Sequence, residues 1–280
     1  MSQIRSLAFV VNDDKVGAHA LEQELSAIAR SRRVKYKRTS RLTLPTGYLR
    51  GIDACCVIGG DGTLLGVAAE AARAKVPIIG INRGSLGFLT TFSADQARAN
   101  FEKLLNGNFK TETRALLECS VGKKSSDLAL NDVLVKSATN SRLVRLEVYA
   151  NEELVTDYLC DGIIFSTPTG STAYTLSAGG PIIHPTSEVI AMTPICPHTL
   201  SNRSIIFNQS VKLRVKNCSP DTDLLVAIDG QRNLKVTKDS QVYIGISKKH
   251  LSLAHQSNYQ HFSVVREKLK WSGGFSDVKQ

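Results

Sequence analysis

The sequence predicts an α/β domain followed by a β-rich domain. Over residues 1–113, short apolar runs alternate with helical patterns, the signature of a parallel sheet covered by helices. Over residues 114–257, the runs turn short, alternating and rich in Val, Ile and Leu, with turn signals between them, which reads as β structure. In the tail, 258–280, helical spacing returns at Phe262, Val265 and Leu269.

The first strand is Ser6-Leu7-Ala8-Phe9-Val10-Val11, closed by the turn Asn12-Asp13-Asp14. Val16, Ala20, Leu21, Leu25, Ile28 and Ala29 then recur at helical spacing. Val34 to Lys37 reads as a partly exposed strand, and Pro45-Thr46-Gly47 as a turn. Ala54-Cys55-Cys56-Val57-Ile58 is a short buried strand, followed by Gly59-Gly60-Asp61-Gly62-Thr63 and an Ala-rich helix to about Ala74. Val76 to Ile81 is a further buried strand, and Ala94 to Leu105 a helix stopped by Asn106-Gly107. Beyond the boundary, strands are expected at Leu116–Val121, Leu128–Val135, Leu143–Ala150, Ile205–Phe207, Val211–Val215, Leu224–Ile228 and Val242–Ile246. Asp229-Gly230-Gln231 reads as a hairpin turn between Val226 and Val236. No flexible linker marks the boundary. The two domains are therefore expected to share an interface, with a ligand between them.

At 280 residues and 42% apolar composition, the chain is long enough and apolar enough for two cores. No apolar run approaches the ~18 residues of a membrane span, and Met1-Ser2-Gln3-Ile4-Arg5 lacks a signal-peptide core. Both point to a cytoplasmic protein without a membrane partner. The six cysteines form no Cys-x-x-Cys pair and mostly lie in apolar runs, so they are expected as reduced core residues. The histidines show no metal-ligand spacing, and no protein side chain is assigned to a metal. The net charge of +10 is spread along the chain, with one denser cluster at Arg30–Arg38. With aromatics at 6% and no nucleic-acid motif, it favours small polyanions such as nucleotides over nucleic acid.

The stretch Gly59-Gly60-Asp61-Gly62-Thr63 carries the first chemical signal. A strand-to-helix turn presents backbone N–H groups and a helix N-terminus, and both attract phosphate. An acid at that point makes sense if Asp61 takes a proton from an attacking hydroxyl or helps hold a metal ion. The same residues also fit an ordinary turn with Thr63 as helix N-cap. The spacing Gly60-x-Gly62-x-x-x-Gly66 is neither a dinucleotide fingerprint nor a Walker A loop. The second signal is Asp161 to Pro181, where an apolar strand runs into Ser166-Thr167-Pro168-Thr169-Gly170-Ser171-Thr172-Ala173-Tyr174-Thr175-Leu176-Ser177. Such hydroxyls can read a polar heterocycle and its ribose, and Tyr174 can add a stacking face.

Gly59–Thr63 resembles the signature shared by NAD kinases, the diacylglycerol and sphingosine lipid kinases and, more distantly, phosphofructokinases. Ser166–Tyr174 is similar to the NAD kinase hallmark, a form the lipid kinases do not carry. The resemblance covers most of the chain and is weakest from Gln3 to Arg50. It implies a Rossmann-like α/β domain, a β-sandwich-like second domain, and a closing helix that returns to the first domain. It implies phosphorylation of the adenosine-ribose 2′-hydroxyl of NAD by ATP, or another phosphate donor, with Mg²⁺. Asp61 would be the catalytic acid–base group, and Gly59, Gly60, Gly62 and Thr63 the phosphate loop. Phe88, in the loop Asn82 to Thr90, would line the dinucleotide pocket. Asn131 and Asp132 would bind the ribose region. The family has Glu at the second of these positions, so Asp132 keeps the charge with shorter reach. Arg142 would contact the nucleotide, Asp161 would lie near the nicotinamide of a neighbouring subunit, and Gln231 would stand by the ligand. Thr172 to Ser177 would complete the substrate site, in a dimer or tetramer. Two alternatives remain at this point: a lipid kinase, which would need an apolar or membrane-facing surface, and a nucleotide-binding regulator without catalysis.

Overall fold

A computed structural model describes residues 3–84, 87–122, 126–139, 143–199, 201–219, 222–237, 240–256 and 259–271. The chain divides into two compact units, Met1–Glu112 with Ser252–Gln280, and Thr113–Leu251. Among the described residues, no helix is long and apolar enough to cross a membrane.

In the first unit, β1 (Ser6–Val11), α1 (Ala18–Ser31), β2 (Lys35–Thr39), β3 (Ala54–Gly59), α2 (Asp61–Ala74), β4 (Ile78–Asn82) and α3 (Ala94–Leu105) follow in order. The strands pair in parallel as β2-β1-β3-β4. β3 and β4 are buried along their whole length, which is why both read as unbroken apolar runs. Helix α3 carries a full capping box, with Ser93 and Gln96 each bonding the other's backbone N–H. Its Phe101 is fully buried and stacks on Phe9 with ring centroids 6.2 Å apart. Phe101→Ala is expected to destabilise this unit by about 3–5 kcal/mol, read as an earlier urea transition.

The second unit contains β5 (Lys110–Val121, entering from the first unit), β6 (Asp127–Ala129), β7 (Asp132–Ser137), β8 (Val144–Ala150), β9 (Glu153–Cys160) and β10 (Gly162–Ser166). A single 3₁₀ turn (Thr169–Thr172) and the four-residue helix α4 (Tyr174–Ser177) follow. Then come β11 (Val189–Ile195), β12 (Ile205–Asn208), β13 (Leu213–Asn217), β14 (Leu224–Ile228), β15 (Arg232–Val236) and β16 (Val242–His255). One antiparallel sheet has the order β12-β11-β10-β7-β14-β15. Strands β13, β8 and β9 continue from the first half of β16. Residues of both groups, such as Val133, Phe165 and Val226 with Leu146, Val215 and Ile244, share one core. The last residues of β16, Leu253 and Ala254, pair in parallel with β4 inside the first unit. Helix α5 (His261–Leu269) closes that unit's described residues.

The structure corrects several expectations. Helix α1 begins at Ala18, because Gly17 adopts φ 71°, and Val16 before it is 92% exposed. Leu128–Val135 is two strands rather than one, interrupted at Leu130–Asn131. Strands β9 and β11 were not expected. Helix α5 buries Val264 and Val265, while Phe262 is exposed. Four cysteines are buried, but Cys196 is exposed.

Candidate active site

The order β2-β1-β3-β4 changes direction between β1 and β3, and ligands of open parallel sheets bind at the carboxyl ends of strands at such a point. Asn12 follows β1 there, and Gly60 and Asp61 follow β3. The Asn12 amide donates to the Thr63 hydroxyl at 3.2 Å, tying the two strand ends together. Asn12 was not expected from the sequence as part of this site.

Asp61 is the first residue of α2 rather than part of the preceding turn, and the N-cap is Gly60, not Thr63. None of Gly59, Gly60 and Gly62 adopts positive φ, so left-handed backbone does not explain these glycines. At Gly59 a methyl would press on the buried Thr63 side chain, with Oγ1 at 2.5 Å. Gly60 and Gly62 face open space, with no atom within 4 Å of a Cβ position. Their small size leaves room for a ligand to approach the backbone. The helix N-terminus adds a favourable field for an anion.

The half-buried Asp61 carboxylate is held by four donors. It accepts from the backbone N–H groups of Phe88 (2.8 Å), Leu89 (3.2 Å) and Thr90 (3.0 Å), and from the Thr90 hydroxyl (3.0 Å). The Asn82 amide donates to that same hydroxyl at 3.0 Å. Three of these donors fall on Oδ1 and only the Phe88 N–H on Oδ2, so of the roughly four lone-pair sites of a carboxylate one on Oδ2 stays open. Gly87 permits this approach, since a methyl at that position would overlap the carboxylate. Phe88 is thus held beside Asp61 through its backbone, and its side chain is half-buried. Ser85 and Leu86 of the same loop lie outside the described residues.

The second cluster lies in the second unit. Asn131 and Asp132 stand at the start of β7. The Asp229 carboxylate accepts from the backbone N–H groups of Leu130, Asn131 and Asp132 at 2.9, 2.7 and 3.2 Å. Asp132 is buried. Burial first, and then the neighbouring Asp229 charge, push its carboxyl up to about 7. Gln231 lies on the exposed side of the same hairpin, whose turn residues Asp229 and Gly230 have φ 51° and 64°. Ile228 pairs with Arg232, so the hairpin loop is the three residues 229–231, the first two at positive φ.

Residues 166–180 form a folded segment built on the 3₁₀ turn and helix α4. The Thr167 N–H donates to the Asn131 carbonyl at 2.9 Å, and its hydroxyl donates to the Leu130 carbonyl at 2.5 Å. Gly170 packs so closely that a methyl would overlap the Asn131 carbonyl. Ser166 and Thr175 are fully buried, and their hydroxyls have no hydrogen-bond partner among the described residues. Buried polar groups are normally paired, so such hydroxyls suit a polar ligand or bound water. Thr172, Ala173 and Leu176 are partly exposed, and Ser177 is exposed. Tyr174, 47% exposed, and Asp161 line one cavity of about 200 Å³ with Lys136, Ser137 and Thr139. Arg142 lies outside the described residues.

Burial pushes the Cys55, Cys119 and Cys160 thiols up to about 12, which leaves them inert. Among the described residues, no cluster of three or more His, Cys, Asp or Glu side chains could hold a metal ion.

Family models for the ATP-NAD kinase N-terminal domain and the ATP-NAD kinase C-terminal domain match residues 5–109 and 130–256. The NAD kinase of Caldanaerobacter subterraneus subsp. tengcongensis is 41% identical over 221 residues, 78% of this chain and 78% of that protein. The NAD kinase of Pectobacterium atrosepticum is 40% identical over 236 residues, 81% of each chain. Among solved structures, an NAD kinase from Archaeoglobus fulgidus in complex with ATP matches with TM-score 0.79 and 26% identity, covering 95% of this chain and 98% of that one. Yeast NADH kinase complexed with NADH matches with TM-score 0.88 over 99% of this chain and 90% of that one, and at 22% identity it speaks for the fold alone.

Proposed function

The chain belongs to the NAD kinase family, and from that premise we propose how its residues carry the reaction. The enzyme phosphorylates the 2′-hydroxyl of the adenosine ribose of NAD with ATP, giving NADP. The bond from the ribose oxygen to the γ-phosphorus forms, the bond from that phosphorus to ADP breaks, and the hydroxyl proton leaves. A ribose hydroxyl is a very weak acid, so the proton must be taken as attack proceeds. Asp61 takes it or orients the hydroxyl. The observation that supports this role is the position of Asp61 at the head of α2, beside the glycines that leave backbone open to phosphate.

The uneven acceptor set of Asp61 selects the oxygen for that role. Oδ2, which accepts only from the Phe88 N–H, has a lone-pair site left for a ribose hydroxyl, whereas Oδ1 already accepts from three donors. In this reading Phe88 lines the dinucleotide pocket. Asn131 and Asp132 hold ribose hydroxyls, and Thr172 to Ser177 with Asp161, Arg142 and Gln231 hold the rest of NAD.

Mg²⁺ enters as part of the ATP substrate, carried on its phosphates, since these cations are usually bound by one or two carboxylates plus substrate phosphates. When bound there, it neutralises the charge of the donor phosphates. The two glycine-bounded amides and the α2 N-terminus supply hydrogen bonds to the same charge. We also propose a cytoplasmic homo-oligomer, a dimer or tetramer, in which Asp161 serves a neighbouring subunit's site.

The direct test is NADP formation from NAD with ATP and Mg²⁺, followed by a coupled NADP-dependent dehydrogenase. Turnover abolished by chelation and restored by Mg²⁺ is the expected result. Equal turnover with and without divalent metal would overturn the metal assignment. A folded protein that binds NAD but makes no NADP with ATP or inorganic polyphosphate would overturn the catalytic reading.

A further inference from the structure

The residue that organises the second cluster is Asp229, which no expectation above assigns to the reaction. Three successive backbone N–H groups, those of Leu130, Asn131 and Asp132, converge on its carboxylate. Its own N–H donates back to the Asp132 carbonyl at 2.9 Å. The side chain is 1% exposed, and it hangs from a turn residue in left-handed conformation. The interruption between β6 and β7 is thus not slack chain. Its amides, which a continuous strand would spend on a neighbour, are turned onto one buried carboxylate.

A neutral side chain would satisfy such amides at less desolvation cost than a buried anion. The anion here also lies against a second buried carboxyl, that of Asp132. Arg232 offsets the charge only in part. Its guanidinium is 4.0 Å from Asp229, while it bonds Asp127 at 2.7 Å and the Leu128 carbonyl at 2.6 Å. On the other side β10 brings Ser166 opposite Asp132, and Thr167 caps the Asn131 carbonyl, both uncharged. Asp132, Asp229, Arg232 and Asp127 are therefore the charged groups of this corner among the described residues.

We propose that Asp229 is a positioning residue for NAD, holding the three amides from whose backbone the Asn131 and Asp132 side chains project. The inference rests on the reading that Asn131 and Asp132 contact the dinucleotide. A second consequence follows from the charge of Asp229. A carboxylate at Asp132 accepts from ribose hydroxyls with both oxygens and more strongly than a neutral carboxyl, which keeps only its carbonyl oxygen as a good acceptor. A like charge beside it delays its ionisation to higher pH. NAD binding should therefore strengthen as pH rises through about 7 in the wild type.

The experiment is the pH profile of kcat/KM for NAD in wild type, Asp229→Asn and Asp132→Asn, with thermal melts of each. An Asn at 229 keeps one acceptor and turns an NH₂ group toward a backbone N–H. We expect KM for NAD to rise about tenfold, the size of one lost hydrogen bond, with the change falling on KM rather than kcat. The profile's inflection should move to lower pH by about one unit, because the like charge is gone. A purely structural role would not move that inflection. In Asp132→Asn the inflection should vanish and KM should rise. Should Asp132→Asn leave both unchanged, the reading that this pair binds NAD fails, and the proposal with it. Should Asp132→Asn behave as expected while Asp229→Asn keeps wild-type KM and inflection, the proposal alone is overturned. If Asp229→Asn does not fold, the wild-type amide resonances of Leu130, Asn131 and Asp132 decide. Movement together with the kinetic inflection supports the proposal. Amides that move only near pH 4, where an ordinary Asp titrates, overturn it.

Discussion

Asp61→Asn is expected to lower kcat by about 10²–10⁴-fold, the usual contribution of a positioned acid–base group, in a protein that still folds. The fold argument comes from the four donors. An Asn can keep its carbonyl where Oδ1 stands, where it still accepts from the Leu89 and Thr90 N–H groups and the Thr90 hydroxyl. Its NH₂ group must then face the Phe88 N–H that Oδ2 now accepts. One donor is left facing another, at about 1–3 kcal/mol, and the core around Phe9 and Phe101 is untouched. The chemical argument concerns the proton. An amide accepts a hydrogen bond but cannot take a proton at neutral pH, so a base loses its function while a pure acceptor keeps most of it. Single-turnover rates with saturating NAD and ATP separate the two. A near wild-type rate in a well-folded Asp61→Asn would reduce Asp61 to a clamp on the 88–90 segment. A change confined to KM would say the same.

How much of this was legible in the sequence depends on the range of the interaction concerned. The parallel sheet was legible because buried strands such as Ile78–Asn82 are apolar throughout, and a short apolar run between helical patterns has few other readings. Strand β9 was not legible, and β15 was legible only as the far arm of the Asp229–Gln231 hairpin. They sit at sheet edges and alternate polar residues with few buried ones, as in Arg232–Val236. Their strand state comes from a neighbour's hydrogen bonds rather than from their own pattern. At the candidate site, Asp61 stood out because glycines bracket it. Its engagement with residues 88–90 did not, because nothing local records which amides a carboxylate will meet. Asp229 looked like the first residue of a hairpin turn, which it is. Its partner Leu130 lies 99 positions away, and only the fold brings them together. The break between β6 and β7 carries the same lesson. Its residues read as one apolar strand, and a distant carboxylate interrupts it.

Gly170→Ala is expected to raise KM for NAD by more than tenfold and to destabilise the second unit by about 1–3 kcal/mol. The position has no positive φ, so alanine can adopt its backbone, and the effect is one of space alone. The added methyl would overlap the carbonyl of Asn131 and crowd its Cα. A flexible side-chain tip could swing aside, but these are backbone atoms pinned from two directions. The Thr167 N–H and hydroxyl hold the carbonyls of Asn131 and Leu130, and Asp229 holds the amides of the same residues. The strain must therefore move either the 3₁₀ turn, which ends in Thr172, or the Asn131–Asp132 corner, and Thr172, Asn131 and Asp132 are residues we propose to bind NAD. The contrast with Gly62 sharpens the case, since a methyl there meets no protein atom and any effect must come through a ligand. Gly170→Ala should lower the melting temperature of the free protein, and saturating NAD should recover less of it than in the wild type. Gly62→Ala should melt like the wild type when free and lose its gain on adding substrates. A Gly170→Ala protein with wild-type melting and wild-type KM would mean that the corner yields without consequence, and that Asn131 and Asp132 do not carry the binding assigned to them.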